Sequence, residues 1–464
     1  MKKTFTPIKT VLFVAFVTLF SCQQEDFSEI ESTERSAKKG NGHLQQTKTF
    51  SSDVAVSWLN MQLTMFRIPL PQGTGSQSSD RAQAYSGIAL YEAVVPGMPA
   101  YQSLTGQLNG FPKMPSTEPG KAYHWAASAN AALAEISRRL FPTTADANKT
   151  AMTDLENNLN AGYATEVDAA TLQRSIAFGK EVATRVANWA ATDGSANVNS
   201  PYVLPTGSGL PPEGTGLWIP TAPAGTPAIG AFAYQRRLIV SGSADDTALT
   251  PLPPFSTDEN SLFYAMVKEV YNASATPTTL TTDQKNMADY FKDAPIGYAA
   301  GGGFVWILSE ALRIAHPTLD QAAITYAKVG IAQHDATVVL FTNKYIFNVI
   351  RPVTYIKAYI DSAWNPYIGT PNHPEFPSGH ATTNGAVLTM MSNSFGENFP
   401  MTLHTYDYLN YPPRSYTTFT QLGQEMADSR FYGGLHYKET CVKSIAQGKK
   451  VAKNILSKVK FLKE

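Results

Sequence analysis

Three short blocks in the last third of the chain constrain its fold more than anything else in it. They are Lys344-Tyr-Ile-Phe-Asn-Val-Ile-Arg351-Pro352, Pro377-Ser378-Gly379-His380 and Ser429-Arg430-Phe-Tyr-Gly-Gly-Leu-His436. Each reads as a helix boundary. Lys344 and Arg351 are seven residues apart. On one helix they share nearly one face, two turns apart, and Pro352 is expected to stop that helix. Ser378 is expected to cap a helix, at the end where free N–H groups and the helix dipole favour an anion. Gly379 lets the backbone approach a ligand closely. Arg430 and His436 are six apart with Gly433-Gly434 between them, so Arg430 is expected to end one helix and His436 to start the next.

Together the blocks hold three fixed cations, a hydroxyl, a glycine N–H and two imidazoles. That inventory suits a tetrahedral oxoanion. Guanidinium forks and an ammonium hold anionic oxygens. One imidazole can attack or coordinate the central atom, and the other can move a proton.

The order and spacing of the blocks resemble the signature of the vanadium-dependent haloperoxidase and type 2 phosphatidic acid phosphatase superfamily, in its bacterial haloperoxidase-like branch. Twenty-four residues separate Pro352 from Pro377, and 48 separate His380 from Ser429. The resemblance implies that Lys344, Arg351, Ser378, Gly379 and Arg430 hold the oxygens of vanadate or phosphate. It makes His436 the vanadium ligand, or the nucleophile of a phosphatase. It makes His380 the acid–base group, and Lys344 the residue that polarises bound peroxide. His373 matches a family position that is Phe in chloroperoxidases and His in algal bromoperoxidases. Phe341 takes a place that is Trp in several peroxidases; both are candidates for the halide pocket. The chain departs from the family at Thr440, where an Asp often orients the last histidine. Glu439 or a backbone carbonyl is expected to substitute.

The resemblance implies a vanadate-dependent haloperoxidase that oxidises bromide or iodide, rather than chloride, with hydrogen peroxide. An acid phosphatase acting on a phosphate ester through a phosphohistidine, without a cofactor, uses the same residues. A non-catalytic surface lipoprotein that binds a glycan or nutrient is a third reading, and it leaves the three blocks unexplained.

The remaining sequence is helical in pattern. Apolar residues recur at helical spacing from Ser51, over 80–95, 120–141, 144–161, 165–192, 257–272, 281–292, 300–315, 318–349, 378–395, 416–431 and 435–460. No segment sustains strand-like alternation, so the fold is expected to be all-α. The resemblance implies two helical bundles, like those of vanadium chloroperoxidase, over 51–193 and 256–464. Between them, residues 194–255 are dense in Pro and Gly yet carry Leu217-Trp218-Ile219 and Phe232-Ala-Tyr234. Such anchors point to an ordered connection that packs across the body near the site entrance. Gly87-Ile-Ala-Leu-Tyr-Glu-Ala-Val-Val95 echoes Gly330-Ile-Ala-Gln-His-Asp-Ala-Thr-Val338, which fits two related bundles. His334-Asp335 within this echo is expected to be structural, and Ser429 a capping or supporting group.

At the start, Lys2-Lys3, an apolar run from Val11 to Phe20 and Leu19-Phe20-Ser21-Cys22 resemble a lipoprotein signal peptide. Residues 1–21 are then removed, Cys22 is lipidated, and 22–50 form a flexible tether. This implies an exported protein anchored by lipid alone to the outer membrane of a Gram-negative bacterium, on its periplasmic or cell-surface side. Cys441 is the other cysteine, so a disulfide within the mature chain is excluded. Lys and Arg number 37 against 37 Asp and Glu, which gives no basic field for nucleic acid.

Overall fold

The computed structural model describes residues 45–70, 78–203, 216–221, 226–274, 279–293, 297–298 and 302–464. The expected signal peptide, Cys22 and most of the tether lie outside the described residues, as do 204–215 and 222–225 of the connection. The end of the expected tether is packed: Phe50 is buried, and Trp125 Nε1 donates to the carbonyl of Gln45 at 2.8 Å.

The fold is two helical bundles. The first contains α1 (Asp53–Phe66), α2 (Ser79–Val94), α3 (Trp125–Leu140), α4 (Asp146–Tyr163) and α5 (Ala169–Ala190). The second contains α6 (Leu262–Ser274), α7 (Thr282–Tyr290), α8 (Gly302–Ala315), α9 (Leu319–Phe347), α10 (Pro352–Tyr359), α11 (Gly379–Phe395), α12 (Phe419–Tyr432) and α13 (Lys438–Lys458). Among the described residues, the strands form two short antiparallel ladders. β1 (Arg67–Ile68) pairs with β2 (Gly297–Tyr298), and β3 (Met401–Leu403) with β4 (Arg414–Tyr416). The first ladder ties one bundle to the other.

The echo in the sequence is the seam between the bundles. Helices α2 and α9 are buried along most of their length and pack on each other. A Cβ on Gly87 would lie 2.6 Å from the Tyr326 carbonyl oxygen, and one on Gly330 would lie 2.5 Å from that of Gln83. The echo aligns Gln83 with Tyr326, so each glycine packs where the other's partner predicts. The seam therefore has a local twofold relation, and glycine is required on both sides because the backbones touch. The relation extends outward. Gly179 of α5 packs against Ser128 of α3, and Gly448 of α13 against Thr382 of α11. The N-cap His124 of α3 donates its N–H to Ser175 Oγ at 2.8 Å, and the N-cap Ser378 of α11 donates its N–H to Ser444 Oγ at 2.8 Å. Gly330→Val should lower stability by about 3 kcal/mol through overpacking. Denaturant unfolding checks this; an unchanged midpoint would contradict the close approach.

The connection is ordered where described, and it straps the second bundle. Trp218 is fully buried, and its N–H donates to the Asn348 carbonyl at 2.8 Å. Ile350 N–H donates to Gly216 O at 2.9 Å, and Asn372 Nδ2 donates to Thr226 O and Pro227 O. Further along, Asp335 accepts the N–H groups of Ile239 and Val240 at 2.7 and 3.0 Å and the ring N–H of His334 at 3.0 Å. His334-Asp335 is thus a structural clamp, and the strap lies against the segments that precede Arg351 and His373.

Candidate active site

Lys344 sits in the last turn of α9 and is fully buried. The helix then ends at Asn348, whose φ of 49° is left-handed. This corrects the reading of the first block. Arg351 does not share a helix face with Lys344; it is the N-cap of α10, and Pro352 starts that helix rather than stopping one. Proline suits the first helical position because its missing N–H has no intrahelical partner there.

Both cations nevertheless grip one loop. Lys344 Nζ donates to the carbonyls of Pro374 at 2.8 Å and Glu375 at 3.1 Å. Arg351 donates from Nε to His373 O at 3.0 Å, from Nη1 to Leu435 O at 2.9 Å, and from Nη2 to His373 Nδ1 at 2.9 Å. The His373 ring therefore accepts at Nδ1 and carries its proton on Nε2. Phe341 meets this ring edge-on at 5.4 Å and lies against Gly230 of the strap.

The second block folds as expected. Ser378 caps α11, its Oγ facing the Ala381 N–H at 3.5 Å. A Cβ on Gly379 would meet nothing nearer than Leu340 Cδ1 at 3.9 Å, so the helix N-terminus opens onto free space. His380 is half-buried, and its Nε2 lies 3.0 Å from Asp293 Oδ2.

The third block also folds as expected. Arg430 is in the last turn of α12, and His436 immediately precedes Tyr437, the N-cap of α13. Arg430 Nη1 donates to Phe291 O at 2.7 Å, while its buried Nε has no partner among the described residues. Ser429 Oγ donates to Met426 O within the helix, away from any ligand role.

The group behind His436 corrects a second expectation. Neither Glu439 nor a backbone carbonyl orients the ring. Glu439 pairs with Lys443 at 2.8 Å. Instead Glu375 Oε1 accepts from His436 Nδ1 at 2.9 Å, and Thr440 Oγ1 donates to Glu375 Oε2 at 2.9 Å. With Nδ1 carrying the proton, Nε2 of His436 keeps its lone pair and accepts a long hydrogen bond from Arg351 Nη1 at 3.4 Å.

Burial and mutual repulsion dominate the electrostatics. Burial, then Arg351, holds the Lys344 ammonium well below its usual range. Burial, opposed by Glu375, brings Arg351 down to about 10. Burial lowers Arg430 as well. Burial, with Arg351 and Lys344, keeps His436 neutral, and burial with Lys344 and Arg351 does the same for His373. His380 is lowered by burial and Arg430, against the pull of Asp293. Burial pushes Glu375 up to about 7 against the same cations. Cations buried in excess of their counter-ions are costly. The free Arg430 Nε, the open face of Gly379 and this surplus of charge fit a bound oxoanion.

Beyond His380 lies a cavity of about 20 Å³, room for about one water. Phe304, Ile307, Leu403, Tyr406 and Met426 line it with Asp293.

The model of the VCPO second helical-bundle domain matches residues 324–464. The crystal structure of the first bacterial vanadium-dependent iodoperoxidase superposes with a TM-score of 0.78 at 27% identity, covering 89% of this chain and 98% of that one. Residues 324–464 thus match the second helical-bundle domain of that family, and the chain is similar in fold to bacterial vanadium haloperoxidases. Apo and holo structures of a bacterial vanadium-dependent chloroperoxidase share the superfamily fold at 16% and 17% identity. Their TM-scores are 0.61 and 0.59; they cover 83% and 80% of this chain and 94% and 89% of their own. No curated protein matches the chain in sequence.

Proposed function

We propose that the chain is a vanadate-dependent haloperoxidase that oxidises iodide or bromide with hydrogen peroxide to hypohalous acid. One observation carries this reading: a surplus of buried cations surrounds a neutral histidine whose unprotonated Nε2 accepts only a long hydrogen bond, from Arg351 Nη1, among the described residues. Lys344, Arg351, Ser378, Gly379 and Arg430 would hold the oxygens of vanadate, and His436 would bond the metal through Nε2. Bound vanadate supplies a Lewis acid that activates hydrogen peroxide toward halide. His380 is neutral at pH 7 and gives its Nε2–H to Asp293, so Nδ1 accepts the proton of the incoming peroxide. The similarity to an iodoperoxidase supports a large halide.

A paired assay on one preparation tests the proposal. Iodide or bromide oxidation with peroxide and vanadate is expected. Hydrolysis of p-nitrophenyl phosphate without halide oxidation would overturn it in favour of a phosphatase with His436 as nucleophile. Neither activity would favour a binding lipoprotein.

Asp293 adds a pH prediction. Its carboxylate raises the pKa of His380 against burial. Activity should fall at acid pH, as His380 becomes protonated and can no longer accept a proton. Asp293→Asn removes the raising charge, so the acid limb of kcat/KM should move to lower pH. An acid limb in the wild-type position would remove Asp293 from the account.

The protein is placed at the outer membrane by lipid on Cys22. Among the described residues, no helix is long and apolar enough to cross a membrane. Cys22→Ser should move the protein from the membrane fraction to the soluble exported fraction; unchanged fractionation would refute the anchor.

A further inference from the structure

Glu375 is fully buried and fixed along its length. Its N–H donates to Val349 O at 3.0 Å, and its carbonyl accepts from Lys344 Nζ at 3.1 Å. Its carboxylate receives His436 Nδ1 and the Tyr437 N–H on Oε1, at 2.9 and 3.0 Å, and Thr440 Oγ1 on Oε2 at 2.9 Å. Every partner there can donate, so the charged form satisfies all of them at once.

The other bundle shows what this carboxylate replaces. At the start of α5, Thr171 gives its N–H and hydroxyl to Asp168, the N-cap, at 2.9 and 2.7 Å. At the start of α13, the N-cap is Tyr437, which makes no side-chain capping bond. Glu375 reaches across from the loop before α11 and supplies the missing carboxylate to the Tyr437 N–H and to Thr440. The same group holds the ring of His436. A carboxylate at 440 would meet Glu375 head-on in a buried space, which explains the threonine: the site has room for one acid behind the ring.

We propose that Glu375 is the positioning residue of His436, that it stands in for an acid at position 440, and that the two placements are interchangeable. The ring is thereby held with Nε2 unprotonated, and the negative charge behind it strengthens the Nε2 lone pair toward a metal. The vanadate part of this inference rests on the proposed function.

The test uses Glu375→Gln, Thr440→Asp and the double variant Glu375→Gln/Thr440→Asp. Glutamine keeps the shape, can still accept from His436 and can donate to Thr440, so folding is preserved and only the charge is lost. Vanadate affinity, measured by titration calorimetry, should fall about 10- to 100-fold in Glu375→Gln, the usual effect of removing a ligand's supporting group. Phosphate should bind at least as tightly as in wild type, because the cationic site has lost a negative charge. Vanadate affinity should return in the double variant and fall in Thr440→Asp alone, where two acids collide. The proton NMR signal of His436 Nδ1–H gives a readout without any anion. A charged acceptor shifts it downfield; it should move upfield in Glu375→Gln and return in the double variant. A merely structural role predicts that both anions weaken together and that the double variant stays impaired, and that result overturns the inference. So does an Nδ1–H signal unmoved by Glu375→Gln. A wild-type protein that binds phosphate but not vanadate overturns the proposed function instead, and the NMR comparison still decides the role of Glu375.

Discussion

Replacing His380 with alanine will leave vanadate binding intact and cut halide oxidation by about a hundred- to ten-thousandfold, the usual worth of a general acid–base group. The separation follows from what each residue touches. Lys344 and Arg351 are anchored on the loop of residues 373–375, and His436 on Glu375. His380 stands apart from these contacts and faces Asp293. Its removal takes away a proton acceptor and lowers no donor count in the cradle. The check is a vanadate titration and a steady-state rate on the same variant. Wild-type turnover would remove His380 from the chemistry, and loss of vanadate binding would make it a ligand.

The second large effect separates His436 from Arg430. Arg430→Ala should weaken vanadate and phosphate alike by about 1.5–3 kcal/mol, the worth of a charged hydrogen bond, which is about ten- to a hundredfold. Its unpartnered Nε would donate to an oxygen that both anions possess. His436→Ala should behave differently. It removes the atom proposed to bond vanadium, so vanadate affinity and peroxidase activity should fall below detection. Phosphate held by Lys344, Arg351 and Arg430 should lose much less. Competition titrations in both variants check this; a parallel loss of both anions in His436→Ala would mean that the ring binds no metal.

Local features of the site were legible in the sequence. The Ser378 cap and the Gly433-Gly434 break declare themselves within a few residues, and the structure places both as expected. The first block was found but its geometry was misjudged. A spacing of seven fits one helix face, yet the left-handed turn at Asn348 ends the helix first. Lys344 and Arg351 converge through a shared loop, which no helical period encodes. Glu375 was in plain view beside the second block. Nothing near it indicates that its carboxylate turns to a ring 61 residues downstream. Asp293 lay further out of reach. Its neighbourhood is brought to the site by the β1–β2 ladder and by the bond from Arg430 to Phe291, both of them tertiary contacts. The echo of Gly87 and Gly330 was visible as similarity, but its cause, two backbones in mutual contact, exists only in the packed seam.

The central claim is that one cationic cradle binds vanadate and becomes a peroxidase through it. The direct measurement is to strip the protein with chelator, titrate vanadate back in the presence of graded phosphate, and follow iodide or bromide oxidation by hydrogen peroxide. Activity should be absent after stripping, return saturably with vanadate, and be inhibited by phosphate in competition with vanadate. Activity that persists without vanadium, or that ignores a large excess of phosphate, would contradict the account.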